Sequence, residues 1–319
     1  MREDDLIARH FAPLAGEGAF GLRDDAACLS AMPGQDLVVT CDALVADVHF
    51  FADDPADAIA AKALRVNLSD LAAKGATPRG FLLALALPSY DEAWLTKFAA
   101  GLKRDMEAFA CPLLGGDTVK TPGPLTISVT AFGGVPMGRM VARNGARAGD
   151  ALYVTGTIGD AALGLLERQG KLESGQGAAH LLSRYLMPEP RQGLSAALLA
   201  HASGAMDVSD GLLGDLAKMM QVSGVTAEVR LADVPLSPAA RAAIGMDETL
   251  LIRALTGGDD YEILASVPRA QTQAFEQAAE RIGVPVTYLG EVRAGAEPPR
   301  FLQSDGTLLK ITGGSFSHF

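Results

Sequence analysis

Carboxylates placed where an apolar segment ends are the first chemistry this sequence offers. The stretch MDVSDGLLGDL (206–216) sets Asp207, Ser209 and Asp210 ahead of Gly211 and an apolar helical run. The habit recurs in Asp24 and Asp25 of GLRDDAA, Asp42 of VVTCDAL, Asp117 of LLGGDT, and Asp259 and Asp260 of TGGDDYE. Asp70 differs. It follows Ile59, Ala63 and Val66 at steps of four, three and four, on an otherwise apolar face of one helix. With 38 acids in 319 residues, adjacent pairs arise by chance, and a single Asp beside Gly is usually a turn residue. The joint pattern is what points to chemistry. Carboxylates so close repel, and burying them unpaired is costly, so a positive partner is expected. Oxygen donors with little nitrogen or sulfur suit Mg²⁺, which binds through a few carboxylates plus substrate phosphates. Such ions would bridge nucleotide phosphates and hold an attacking phosphate oxygen in line. Phosphoryl transfer needs that positioning and charge neutralisation more than a covalent nucleophile.

Other phosphate and hydrolase signatures fail. A Walker A loop is absent. GEGAFG (16–21) matches GxGxxG, but the preceding HFAPLA contains Pro13 and reads poorly as a central strand. RDDAA follows it and would aim carboxylates at a pyrophosphate. In MDVSDG, aligning Gly211 with an EF-hand glycine puts Val208 and Met206 at ligand positions. No G-x-S-x-G elbow and no HExxH occurs among the residues.

The elements that must position the acids alternate between strand and helix. LVVTCD (37–42), FLLALALP (81–88), PLLGGDT (112–118) and LTISVTAFGGV (125–135) read as strands. PADAIAAKALRVNLSDLAAKG (55–75) and DEAWLTKFAAGLKRDMEAFA (91–110) read as helices. MGRMVARNGARAGD (137–150) is basic and aperiodic and marks a boundary. Beyond it, 150–156, 226–231 and 261–267 read as strands and 158–169 as a helix. Two mixed α/β domains are expected, 1–137 and 138–319.

Bulk properties narrow the class. The net charge of −11 argues against nucleic acid and against an anionic membrane surface, although divalent cations reverse the local sign toward phosphates. Three cysteines without a CxxC pair argue against a disulfide framework or zinc site. The acidic start MREDDLIARHF does not read as a signal peptide, and no apolar run spans a bilayer. A cytoplasmic protein is expected.

Taken in order, GLRDDAACL, TCDALVADVHF, KALRVNLSDLAAKGATP, LLGGDT, PMGRMVARNGARAGD, YVTGTIGDAALGL, DVSDGLLGDL, GGDDYE and the terminal FSHF resemble the thiamine-monophosphate kinase family. That family lies within the aminoimidazole ribonucleotide synthetase-like superfamily. VNLSDLAAKGA and GGDT recur across the superfamily; VHF, GGDDYE and the final HF favour the kinase. The resemblance implies ATP-dependent conversion of thiamine monophosphate to thiamine diphosphate by direct in-line transfer, with several Mg²⁺ ions. It also implies a two-domain fold whose N-terminal sheets pair into a barrel in a homodimer. On this resemblance Asp24, Thr40, Cys41, Asp42, Asp70, Asp117, Asp207 and Asp210 are metal ligands, with Asp42, Asp207 and Asp210 catalytic. Gly116, Asp117, Arg143 and Ser209 hold ATP, while His49, Asp259 and Phe316 face thiamine monophosphate. The chain departs from the family at Arg23, where a small residue is usual, and at Cys41, where Thr is usual and a thiol is a poor Mg²⁺ ligand. It departs again at Asp259, where Glu is common. Two other readings compete: an ATP-dependent synthetase of the same superfamily, and a nucleotide-binding protein that has lost turnover.

Overall fold

The computed structural model describes residues 3–303 and 305–309. The chain divides into two compact units. The first gathers the chain up to Leu71 with Ala76–Met140; the second gathers Ala72–Gly75 with the chain from Val141 onward. The division falls inside the basic stretch that the sequence marks.

In the first unit a short N-terminal helix, α1 (Glu3–Leu6), leads into irregular turns. Four strands then form one sheet: β1 (Gln35–Val45), β2 (Thr77–Leu87), β3 (Leu113–Lys120) and β4 (Thr126–Pro136), in the order β1-β4-β2-β3. β4 runs antiparallel to both β1 and β2, and β2 runs parallel to β3. Two helices complete the unit, α2 (Ala56–Ala73) and α3 (Glu92–Phe109). Asp91 caps α3 by accepting from the backbone N–H groups of Ala93 and Trp94, which satisfies donors that have no partner inside the helix. Leu83, Leu85, Ile127, Val129 and Ala131 are buried on one sheet face. The other face is only partly covered, with Leu37, Val39 and Val119 each about half exposed. The GEGAFG segment contains neither a preceding long strand nor a following α-helix: Ala15 makes one isolated bridge and Phe20–Leu22 a 3₁₀ turn.

In the second unit six strands form one sheet: β5 (Ala151–Thr155), β6 (Gly204–Val208), β7 (Thr226–Arg230), β8 (Glu262–Val267), β9 (Val286–Arg293) and β10 (Arg300–Leu302). Their order is β10-β7-β9-β5-β8-β6, antiparallel throughout except β10 with β7. Alternate residues of one strand serve opposite cores. Leu152 and Val154 join Met206, Val208 and Leu264, whereas Ala151 and Tyr153 join Ala205, Ile263 and Ala265. The helices are α4 (Asp160–Arg168), α5 (Ala178–Leu186), α6 (Ser195–His201), α7 (Leu212–Ser223), α8 (Pro238–Met246), α9 (Thr249–Thr256) and α10 (Thr272–Arg281). Leu212, Leu216, Met219 and Met220 of α7 fill the first of those cores. Among the described residues no helix is long and apolar enough to cross a membrane.

Mixed α/β architecture in both halves is as expected, but the strands are mostly antiparallel. The acids do not all close a strand. Asp42 and Asp117 sit inside β1 and β3, and Asp259 and Asp260 precede a strand.

Candidate active site

In the first unit, strand alternation sorts the residues of TCD. Thr40 and Asp42 face α2, where the Thr40 hydroxyl donates to Asp70 Oδ2 at 2.5 Å and the Asp42 backbone N–H donates to Asn67 Oδ1 at 3.2 Å. Asp70 thus has a neutral donor for its charge, which accounts for an acid on an otherwise apolar helix face. Cys41 points to the opposite, open face. Its sulfur accepts from Thr130 Oγ1 at 3.3 Å and lies 3.6 Å from Ser128 Oγ. The thiol is therefore turned away from the Thr40–Asp70 pair that was expected to share its ligand role.

Past β1 the chain makes a tight loop, with Asp47 at φ +66°. The backbone N–H of Val45 donates to His49 Nδ1 at 3.0 Å. That bond fixes the orientation of the ring. Lys62 of α2, only 2% exposed, donates to the His49 carbonyl at 3.0 Å. Sequence reasoning missed Lys62 and Asn67. The helical period held a signal for Lys62, which stands eight residues before Asp70, with Val66 midway between.

Asp24, Gly116 and Asp117 come together on the rim of a cavity of about 670 Å³. Its apolar wall includes Phe11, Leu22, Leu82 and Phe132. Asp24 Oδ1 accepts the Asp25 backbone N–H at 2.8 Å. The turn before it is strained, with Phe20 and Leu22 at φ +50° and +57°. Arg23 is exposed. At Gly116 a Cβ would lie 1.8 Å from the Leu83 carbonyl oxygen, so close contact between β3 and β2 already requires glycine there.

In the second unit the corner MDVSDG joins β6 to α7. Because β8 runs antiparallel to β6, the end of one and the start of the other share an edge. The Asp259 N–H donates to the Ser209 carbonyl and the Tyr261 N–H to the Val208 carbonyl, both at 2.8 Å. Ser209, Asp210 and Asp259 are thereby brought together, with Asp207 buried at the end of β6. Gly211 takes φ +101°, and a Cβ there would meet the Thr256 backbone at 2.7 Å. Asp259 and Tyr261 also adopt positive φ, +72° and +50°.

Two polar groups hold this edge, and sequence reasoning singled out neither. Glu262, fully buried, accepts from Thr155 Oγ1 at 2.6 Å, Arg184 Nη2 at 2.9 Å and Arg191 Nε at 2.7 Å. Beside it, Asp260 accepts the Gly159 N–H on both oxygens, at 3.0 and 2.8 Å. Burial holds the Asp260 carboxyl well above its ordinary value; the Gly159 bond pulls it down, and Asp160 and Glu262 push it further up. The second group is Lys218, which donates to Asp210 and Asp215. Burial raises the Asp215 carboxyl against the pull of Lys218 and the Asp210 amide. Burial also works against charge on Lys218, but its bonds to Asp210 and Asp215 outweigh that and raise its pKa.

Arg143 lies in a 3₁₀ turn (Arg143–Gly145) with an exposed side chain, its carbonyl accepting from Ser223 Oγ at 3.3 Å. Phe316 lies outside the described residues. Among the described residues no three His, Cys, Asp or Glu side chains gather into a ready-made cage. The donors fit Mg²⁺ by type, since oxygens predominate and Asp210 already engages a cationic group.

Residues 23–135 match the family described as AIR synthase related protein, N-terminal domain, and residues 147–300 match AIR synthase related protein, C-terminal domain. A thiamine-monophosphate kinase of Caulobacter vibrioides is 47% identical over 299 residues, covering 92% of this chain and 84% of that protein. The crystal structure of thiamine-monophosphate kinase from Stenotrophomonas maltophilia K279a is 39% identical, with a TM-score of 0.84 and 95% of each chain covered. AaThiL, solved complexed with AMPPCP and TMP, is 30% identical with a TM-score of 0.80, covering 100% of this chain and 99% of that one.

Proposed function

We propose, from the premise that the chain belongs to the thiamine-monophosphate kinase family of AIR synthase related proteins, that it transfers the γ-phosphoryl group of ATP to thiamine monophosphate. The products are ADP and thiamine diphosphate. The observation that carries the reading is the shared edge of β6 and β8, where a phosphate-type corner (Ser209, Asp210) meets the GGDD loop bearing Asp259. The ligands of AaThiL, AMPPCP and TMP, are of the two classes this proposal needs.

The acceptor is a phosphate monoester, whose second ionisation lies near pH 6. Its attacking oxygen carries charge at neutral pH, so no side chain has to remove a proton. Such a reaction needs positioning and charge neutralisation and no Ser-His-Asp relay. His49, its ring oriented by the Val45 N–H, is assigned to thiamine monophosphate. Asp259 is anionic and suits the cationic thiazolium. Gly116, Asp117, Arg143 and Ser209 are assigned to ATP, and Phe316 to the thiamine rings. Asp24, Thr40, Asp42, Asp70, Asp117, Asp207 and Asp210 would hold Mg²⁺, Cys41 offering only its backbone; the ions supply charge neutralisation between phosphates that otherwise repel. The open face of the first sheet, with Leu37, Val39 and Val119 exposed, supports a homodimer formed through that sheet. The proposal places the enzyme in the cytoplasm.

The test is incubation with ATP, MgCl₂ and thiamine monophosphate, following thiamine diphosphate and ADP by chromatography. Equal amounts of both are expected. Asp210→Asn is expected to lower turnover at least about a hundredfold while the fold survives. Wild-type turnover in that variant would remove Asp210 from the metal set.

A further inference from the structure

Lys218 enters none of the roles above, yet its ammonium sits on the Asp210 carboxylate. It donates to Asp210 Oδ2, and to Asp215 Oδ1 at 2.9 Å. Asp215 Oδ2 in turn accepts the Asp210 backbone N–H at 2.8 Å. The three residues close a ring with two unlike sides. The Asp215 side chain is 1% exposed and bound into α7, whereas those of Asp210 and Lys218 are 35% and 39% exposed. One carboxylate is an anchor, and the other is within reach of solvent.

Resting on the metal assignment of Asp210, we infer that Lys218 is a built-in counter-ion that pairs with Asp210 in the metal-free protein and yields it to a divalent cation while staying on Asp215. A cation approaching Asp210 meets an oxygen already engaged by a like charge, so the pair competes with the metal. Displacement leaves nothing buried and unpaired, because Asp215 still holds the ammonium and still accepts the Asp210 N–H. Buried pairs broken without such a second partner are costly; this one is arranged to open. It also answers part of the electrostatic problem of the corner, since the Asp210 carboxylate does not wait there uncompensated.

The test compares wild type, Lys218→Met and Lys218→Arg by calorimetric titration with Mn²⁺ and by thermal melting in chelator. Exposed ion pairs are weak, so the expected change is modest: Lys218→Met binds Mn²⁺ about fivefold more tightly. It also melts lower in chelator and gains more from Mn²⁺ than wild type does. Lys218→Arg, which keeps the charge, behaves as wild type in both measurements. Unchanged or weaker Mn²⁺ binding in Lys218→Met, together with a lower melting point, would make Lys218 a strut of α7 and overturn the inference. Lys218→Gln serves the same comparison should the Met variant fail to fold. Neither readout needs turnover. Absence of thiamine diphosphate synthesis by wild type with the Mn²⁺ result intact would sink the kinase reading and leave this one standing.

Discussion

Glu262→Gln tests whether the buried ion network orders the substrate edge. The substitution keeps the shape and removes the charge that faces Arg184 and Arg191. Glu262 is fully buried, and Arg191 approaches it with both Nε and Nη2, at 2.7 and 2.5 Å. Removing one partner of a buried pair costs about 3–5 kcal/mol. The lower end applies here, because Glu189 remains within 3.0 Å of Arg184 and 3.3 Å of Arg191. The expected loss is therefore about 3 kcal/mol in the urea-derived stability. Glu262 begins β8, and three residues before it stands Asp259, so the GGDD loop loses its anchor along with the strand. The KM for thiamine monophosphate should rise several-fold while the KM for ATP moves little. Denaturation in urea and steady-state kinetics at fixed ATP read the two effects separately. A loss below about 1 kcal/mol would refute the network argument. A full loss with an unchanged KM would show that the loop is held by its own bonds to Ser209, Val208 and Gly159.

Three further outcomes are expected. Gly116→Ala should destabilise by about 3 kcal/mol and raise the KM for ATP, because its Cβ meets backbone, which cannot rotate away; unaltered melting would locate the need for glycine at the ligand instead. Thr40→Val should cost about 1.5 kcal/mol in chelator by stripping a hydrogen bond from the Asp70 carboxylate, with Mg²⁺ recovering part of it; equal losses with and without Mg²⁺ would separate Asp70 from the metal. The Cys111 thiol is buried, which pushes its pKa from 9.0 up to about 12. The folded state thus holds a proton that the unfolded state releases. This contribution is complete below about pH 9 and falls away by up to about 1.4 kcal/mol per pH unit as pH rises toward 12. Cys111→Val should flatten that part of the alkaline stability profile, and an identical slope in the variant would show that another group causes it.

Much of the fold was legible because its signals are local. The run PADAIAAKALRVNLSDLAAKG reads as one helix from alanine content and period, and α2 occupies Ala56–Ala73. The strand-to-helix corner at MDVSDG was likewise visible, since Gly211 separates the acidic MDVSD from a leucine-rich run. Strand direction was not visible. Reading the acids as strand ends missed that Asp42 is paired in mid-strand with Val129 and that Asp259 reaches Ser209 through the antiparallel pairing of β6 with β8. The positive residues of the site were the harder part. Lys62, Lys218, Arg184 and Arg191 carry no motif, and each matters through a partner far along the chain or on another turn of helix. Cys41 shows the limit from the other direction. Its neighbours in TCD suggested a common role, but a period of two sends its side chain to the opposite face.

The two units resolve the same electrostatic problem by different means, and the difference bears on how a cation would meet each. Asp70 is served by the Thr40 hydroxyl, which stabilises a carboxylate without cancelling its charge. Asp210 is served by an ammonium, which cancels charge locally and must be moved before that oxygen can take a metal. Salt acts on the second arrangement and hardly on the first, because an ion pair more than a third exposed is screened whereas a hydrogen bond from a hydroxyl is not. At Asp70 the bonded hydroxyl would not have to be exchanged for a like charge when a cation binds. A cation arriving at Asp210 must compete with Lys218, and Asp215, held in α7, is what keeps the losing competitor within reach of its partner.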